Sequence, residues 1–295
     1  MFTDGPVTPI RLEVLLDVLK KYPDGMTSEE IYNLLQPLKL CPPSEGTTRP
    51  KQTTARNTLS AARELELVEG TQSAKLSKNY NKSNTSKENL LRVMDQKVLS
   101  DCNYKVEFYL ALYYAYFLGL SKKVYEMQMN YTNETWAAKF NAGVFGNKRK
   151  SNPFNPEKFS GLHRWLNYLG LGWNDPSGKF QANPYERLKR ALPSIFEGES
   201  ELSGDDFMKR LAKFCPELDG GKIFLEANEY QKYKSDDKQC SLGLSHALVD
   251  LYEDKIIDLD CPTDSDGWDF RLADPPPSEK LVGTRIARVI YVGGK

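Results

Sequence analysis

The chain of 295 residues is 40% hydrophobic and 27% charged, with 40 Lys/Arg balanced by 40 Asp/Glu; this is an ordinary soluble composition, long enough for two or three domains, and it excludes wholesale disorder. The most apolar stretch, FYLALYYAYFLGL at 108–120, is too short and too rich in Tyr to span a bilayer, and the N-terminal MFTDGPVTPI lacks the basic-then-apolar order of a signal peptide. Five scattered cysteines (Cys41, Cys102, Cys215, Cys240 and Cys261) with no Cys-x-x-Cys pair argue against a disulfide framework and a zinc site, and point to the reducing cytoplasm.

In PIRLEVLLDVLKKYPDG the apolar residues Ile10, Leu12, Val14, Leu15, Val18 and Leu19 recur close to helical spacing, and Pro23-Asp24-Gly25 ends the helix. In MTSEEIYNLLQPL, Thr27 as N-cap with Glu30 three residues on is a capping box, flanked by Met26 and Ile31 as a hydrophobic staple. A Pro/Ser/Gly/Thr loop at 42–48 leads into RPKQTTARNTLSAARELELVEG, a helix with Ala55, Leu59, Ala62 and Leu65 inward. LVEGTQSAKLSKN then reads as strand, Gly turn and strand. Three helices and a two-stranded hairpin within about 70 residues is the winged helix-turn-helix plan.

Residues 77–89, SKNYNKSNTSKEN, read as an exposed polar linker, after which Thr85 and Glu88 form a second capping box that opens a connecting helix. The middle region offers an aromatic helix at 104–119, a helical NETWAAKFNAG, and a helix opened by Asn155 and Pro156. Phe159, Leu162, Trp165, Leu166 and Leu169 form the stripe of that last helix, and Asp175-Pro176-Ser177-Gly178 turns a hairpin. A third segment has the helix SGDDFMKRLAKFCPEL, a second helix over Ser241 to Asp254, and a hairpin expected to pair Lys255–Asp260 with Trp268–Ala273. Beyond a Pro-rich spacer lies a short β-prone run, Ile286 to Val292. Leu67-Val68, Leu171-Gly172 and Ile256-Ile257 each follow a helix end and precede a turn and strand, a weak internal repeat. The expected fold is mainly α (α+β), built of tandem winged-helix modules each with a small β-hairpin wing. Its expected domains are a basic winged helix over 1–83, a linker helix plus second module over 84–183, an acidic winged-helix-like module over 184–275, and an extended tail over 276–295.

The zero net charge conceals a split. Residues 49–87 carry eight Lys/Arg against three Glu, whereas residues 196–278 carry nine Lys/Arg against twenty Asp/Glu. In the basic module Arg49, Lys51 and Arg56 are placed to neutralise phosphates, and Gln52, Thr53, Asn57 and Ser60 to reach base edges or backbone oxygens. Lys75, Lys78 and Lys82 extend the positive surface along the wing, and the loop GNKRKSNP adds Lys148, Arg149 and Lys150. The plainer reading of the same residues is a solvated basic face on a winged helix that contacts protein, because fold alone does not decide function. The acidic module repels phosphate and suits a basic protein partner instead.

Other chemistry finds little support. His163 and His246 have no partner Cys, His or carboxylate at ligand spacing. Asp264-x-Asp266-Gly267 lacks the first ligand and the closing Glu of a calcium loop. A metal nuclease would need Asp219 with Asp236 or Asp237 and Lys238, yet YQKYKSDDKQC is a polar loop and not the end of an apolar strand. There is no Gly-rich phosphate loop, no G-x-S-x-G and no dinucleotide fingerprint, so the expectation is a non-enzyme without cofactor or metal.

The segments SEEIYNLLQPLKLCPP and TTARNTLSAARELELVE, then FSGLHRWLNYLGLGW, ERLKRALPSIF and SHALVDLYEDKIIDLD, resemble the DpdG family in kind and order. That family belongs to bacterial gene clusters that insert 7-deazaguanine derivatives into DNA and restrict unmodified DNA. The resemblance spans most of the chain, but its motifs are structural, so it carries no active site to these positions. It implies a helper of a multi-protein restriction apparatus that contains helicases and ATPases. The combined expectation is a non-catalytic adaptor that binds double-stranded DNA through its basic winged helix, and other subunits, helicase or ATPase components among them, through its acidic module. The alternatives are a purely protein-binding winged-helix scaffold and a winged-helix transcriptional regulator, the latter requiring a dimer on a palindromic site.

Overall fold

Helix α1 (Pro9–Lys21) starts at Thr8, whose side chain accepts from the Arg11 amide at 3.3 Å, with Pro9 in the first turn, where a missing N–H has no consequence. The computed structural model describes residues 7–41, 52–99, 108–120, 131–146, 153–229, 238–262, 266–270 and 285–293. Leu12, Leu15, Leu16 and Leu19 of α1 are buried while Ile10 and Val14 are exposed, so the inward stripe is rotated from the one the spacing suggested. Strand β1 (Met26–Thr27) leads directly into α2 (Ser28–Leu35); both halves of the Thr27/Glu30 capping box form, and Met26 and Ile31 are buried. Helix α3 (Thr53–Glu64) buries Ala55, Thr58, Leu59, Ala61 and Ala62, and is followed by β2 (Val68–Glu69) and β3 (Ser73–Leu76). Strand β3 lies between β1 and β2, antiparallel to both, with Met26 opposite Ala74 and Val68 opposite Leu76.

The polar stretch after β3 is not a loose linker. Tyr80 is buried with its hydroxyl 3.0 Å from Ser86 Oγ. The buried Asn89 amide donates to the carbonyls of Asn81 and Thr85 and accepts from the Asn81 amide, standing in for absent regular backbone bonds. Ser86 Oγ donates to Asp17 at 2.6 Å and ties α4 (Ser86–Val93) to α1, and α4 runs on as a π-helical segment, Met94–Val98. These elements and residues 157–165 form one compact unit; the described residues of 108–156 and 166–295 form a second. The first unit therefore runs past residue 83, where polarity alone had suggested a boundary.

Helix α5 (Phe108–Leu120) is buried on every side from Leu110 to Leu118, as an apolar helix without a polar face must be. Its Tyr113 stacks on Phe154 with ring centroids 5.5 Å apart and accepts at 2.9 Å from the indole of Trp136, on α6 (Asn133–Phe145). Helix α7 (Lys158–Tyr168) begins just beyond the Asn155-Pro156 cue, and its stripe of Phe159, Leu162, Trp165, Leu166 and Leu169 is wholly buried. The hairpin β4 (Gly172–Asn174) and β5 (Phe180–Ala182) turns at Asp175, whose carboxylate accepts from the amides of Ser177 and Lys179. Then come α8 (Tyr185–Phe196), β6 (Glu201–Ser203), α9 (Gly204–Phe214), α10 (Lys222–Asn228), α11 (Leu242–Glu253), β7 (Ile257–Asp260), β8 (Trp268–Asp269), β9 (Arg285–Ile286) and β10 (Arg288–Tyr291). Among the described residues no helix is long and apolar enough to cross a membrane.

The expected pairing of Lys255–Asp260 with Trp268–Ala273 does not form. Strand β7 pairs with β10, which lies between β6 and β7, and β8 pairs with β9. Two forces favour β10 in the middle position. Val289 is fully buried, and the Arg288 guanidinium meets Glu201 on one neighbour at 2.9 Å and Asp260 on the other at 2.8 Å. The β-prone run assigned to a tail is thus the central strand of a sheet, and the segment containing Asp266 and Gly267 is an excursion between β7 and β8.

Three helix ends repeat one hydrogen-bond pattern. Glu66, Gly170 and Lys255 adopt left-handed backbone with φ of 57°, 70° and 58°. The next residues, Leu67, Leu171 and Ile256, are buried and donate their amides to Ala62, Leu166 and Leu251, five residues back, which is the Schellman termination. The carbonyls of the same three residues accept from Ser77, Asn183 and Val292, which fixes the strand that returns beside each helix end. The weak repeat in the sequence is therefore a repeated structural unit of helix, left-handed cap and antiparallel strand pair, a hairpin in the first two copies and the separated β7 and β10 in the third. The first and third copies also share their surroundings: α1-β1-α2-α3-β2-β3 with sheet order β1-β3-β2 corresponds to α8-β6-α9-α11-β7-β10 with sheet order β6-β10-β7, the third copy carrying α10, β8 and β9 as additional elements.

Candidate nucleic-acid interface

Helix α3 holds its inner face against α1 and α2 through small residues, which leaves Thr53, Arg56, Ser60 and Glu64 exposed and Asn57 half-buried beside them. Positions 53, 56, 57, 60 and 64 follow the three-and-four spacing of one helix face, so this row is a single polar ridge. The Arg56 guanidinium lies over the Tyr32 ring of α2, 5.4 Å from its centroid. The aromatic face holds the cation in place and leaves the edge of the planar guanidinium to donate to two oxygens of an anion such as a phosphate. Tyr32 was not among the residues singled out from sequence; an aromatic in the preceding helix facing an arginine in the next is the signal that points to it.

Gln52 behaves differently. Its amide nitrogen donates to Asn33 Oδ1 at 2.9 Å and to the Gln36 carbonyl at 2.8 Å, and the Gln36 side chain in turn accepts from the Ala55 amide at 3.1 Å. Gln52 is therefore turned into the module, where it clasps α2 to the start of α3. It makes no side-chain cap of its own, so most of the first-turn amides of α3 keep the positive end of the helix available to an anion. On the hairpin, Lys75 is exposed and pairs with Glu69 at 3.6 Å, and Lys78 and Lys82 are exposed on the turns that follow. Arg49, Lys51, Lys148, Arg149 and Lys150 lie outside the described residues.

The counterpart of α3 in the third copy is closed off. Along α11 Glu253 alone is exposed, and a side-chain carbon added at Gly243 would meet Leu118 of α5 at 2.7 Å and the carbonyl of Ala182 on β5 at 3.0 Å. No groove of a duplex can reach that face. Asp219, weighed as a metal ligand, is buried and accepts from the Ser241 amide at 2.5 Å and its hydroxyl at 2.8 Å, at the start of α11. Lys238 pairs with Asp205 at 2.9 Å, while Asp236 and Asp237 lie outside the described residues. Among the described residues no group of three or more His, Cys, Asp or Glu is arranged to hold a metal. His163 sits edge-on to Phe159 with ring centroids 5.9 Å apart, and burial lowers its pKa to about 4, so the imidazole is neutral at physiological pH.

The family model described as DpdG-like matches residues 3–266, most of the chain. Neither a curated protein nor a solved structure matches it.

Proposed function

This chain belongs to the DpdG-like family, a component of the Dpd 7-deazaguanine DNA-modification system, and from that premise we propose that it is a non-catalytic adaptor that holds duplex DNA with its basic N-terminal module and a protein partner with its acidic C-terminal region. The reading treats α1 to β3 as a winged helix, with α3 as recognition helix and the β2–β3 hairpin as wing; the element order and the β1-β3-β2 sheet support it. The observation that carries it is the contrast between two equivalent helices. Helix α3 keeps an open ridge of Thr53, Arg56, Asn57 and Ser60, whereas α11 is packed over. Arg56 contacts a phosphate, and Arg49 and Lys51, just before α3 in the chain, add two more. Thr53, Asn57 and Ser60 reach base edges or backbone oxygens, while Gln52 holds the turn. The acidic region does not compete for the backbone, since its net charge repels it.

The test is binding of the purified protein to a labelled duplex across a salt series, beside a variant with Arg49, Lys51 and Arg56 changed to Ala. The expected result is steep salt dependence, with a log–log slope smaller by about 3 in the variant. Absence of binding at low salt overturns the DNA reading and leaves a protein scaffold.

A further inference from the structure

The second unit contains a cleft of about 430 Å³ between the β4–β5 hairpin, the start of α8 and the end of α11, within the size range of ligand sites. One wall is the indole of Trp173, which is 52% exposed. Lining it with Trp173 are Glu186, Asp250, Glu253 and Asp254, and among the described residues no Lys or Arg lines the cleft. The floor is fixed: Asn183 donates to Asp250 at 2.6 Å and the Tyr185 hydroxyl donates to Asp254, so two carboxylates are held in place while Glu186 and Glu253 remain exposed. Lys189 lies over the Tyr185 ring at 5.5 Å, so that ring already carries a cation, whereas among the described residues none lies over Trp173.

The electrostatics of α11 are unbalanced in the same place. Asp250, Glu253 and Asp254 crowd its C-terminal end, where the helix dipole is negative, and its last turn has no basic residue. A sequence optimised for the helix alone would place Lys or Arg there. An exposed aromatic plane opposite carboxylates at a helix C-terminus is complementary to a flat, permanently charged cation. We propose that this cleft receives an arginine side chain from a basic segment of a protein partner, its guanidinium stacked on Trp173 and hydrogen-bonded by Glu186 and Glu253. The assignment deepens the adaptor reading above and rests on its claim that the acidic region meets a basic partner.

The experiment titrates the isotope-labelled full chain with acetyl-Gly-Arg-Gly amide and with the same peptide carrying uncharged citrulline, following the indole N–H resonances. The Trp173 resonance is identified by its loss in Trp173→Ala. The expected result is a saturable shift of that resonance with the arginine peptide alone, weakened about tenfold by Glu186→Gln with Glu253→Gln, and retained in Trp173→Phe when followed through backbone amides of β4. Shifts elsewhere in the acidic region without Trp173 overturn the cleft and leave the adaptor reading standing. No shift anywhere, or equal shifts with citrulline, overturns both the cleft and the claim of a basic partner.

Discussion

Gln52 and Arg56 are one helical turn apart, yet one is folded into the protein and the other stands on its surface. The difference follows from what each side chain finds nearby: Gln52 meets the Asn33 side chain and the carbonyl of Gln36 at the end of α2, whereas Arg56 lies against the Tyr32 ring. Removing the Gln52 amide strands two acceptors and loosens the α2–α3 turn. Gln52→Ala is therefore expected to lower stability by about 2 kcal/mol in denaturant unfolding while leaving the salt slope of duplex binding unchanged. A changed slope with intact stability would return Gln52 to the DNA-reading set. Sequence could place both residues at the front of a helix, because their spacing and the basic cluster are local. It could not say which one turns inward, since that depends on the end of a different helix sixteen residues earlier.

The elements that were legible are those whose boundaries are written in adjacent residues. Thr27/Glu30 and Thr85/Glu88 form complete capping boxes, and the Asp175 turn closes as its residues require. Thr27→Ala should lower stability by about 1 kcal/mol, read as a shifted denaturant midpoint. The box also predicts a pH response. The Thr27 hydroxyl and amide hold the Glu30 carboxyl below its ordinary value of 4.5, and the Thr85 amide and hydroxyl do the same for Glu88. A depressed folded pKa contributes stability that is fully present above the ordinary value and is lost as pH falls through the lowered one. Midpoints taken near neutral pH and at about pH 3 should thus converge less in the wild type than in Glu30→Gln, whose amide does not titrate. The third hairpin escaped such reading because the partner of Ile257–Asp260 is not the next β-prone segment but one nearly thirty residues on, selected by the paired carboxylates that Arg288 bridges. Strand pairing over that separation is a contest among candidates, and local propensity does not name the winner.

At the scale of the whole molecule, one design of helix, left-handed cap and antiparallel strand pair appears three times with three fates: an open ridge on α3, a half-covered α7 with Ser160, Arg164 and Asn167 exposed, and a covered helix in α11. The charge split was visible in composition, but the covering of α11 by α5 and β5 was not, because neither segment carries a mark of its partner. Val289, buried at the centre of the third sheet, tests the dependence of the second unit on β10. Val289→Asp places a charge between β6 and β7 without a partner, and hydrogen exchange should report loss of protection across both strands while α1 to β3 keep theirs. Uniform loss across both units would mean that the first does not hold by itself. The position of β10 also sets a timetable for biosynthesis. The first sheet can close once Leu76 has left the ribosome, but the third keeps two raw edges until Arg288–Tyr291 emerge. Between the emergence of Asp260 and that of Arg288 the nascent chain therefore presents β6 and β7 as unpaired templates, and a chaperone that meets them in that interval would protect the chain from aggregation.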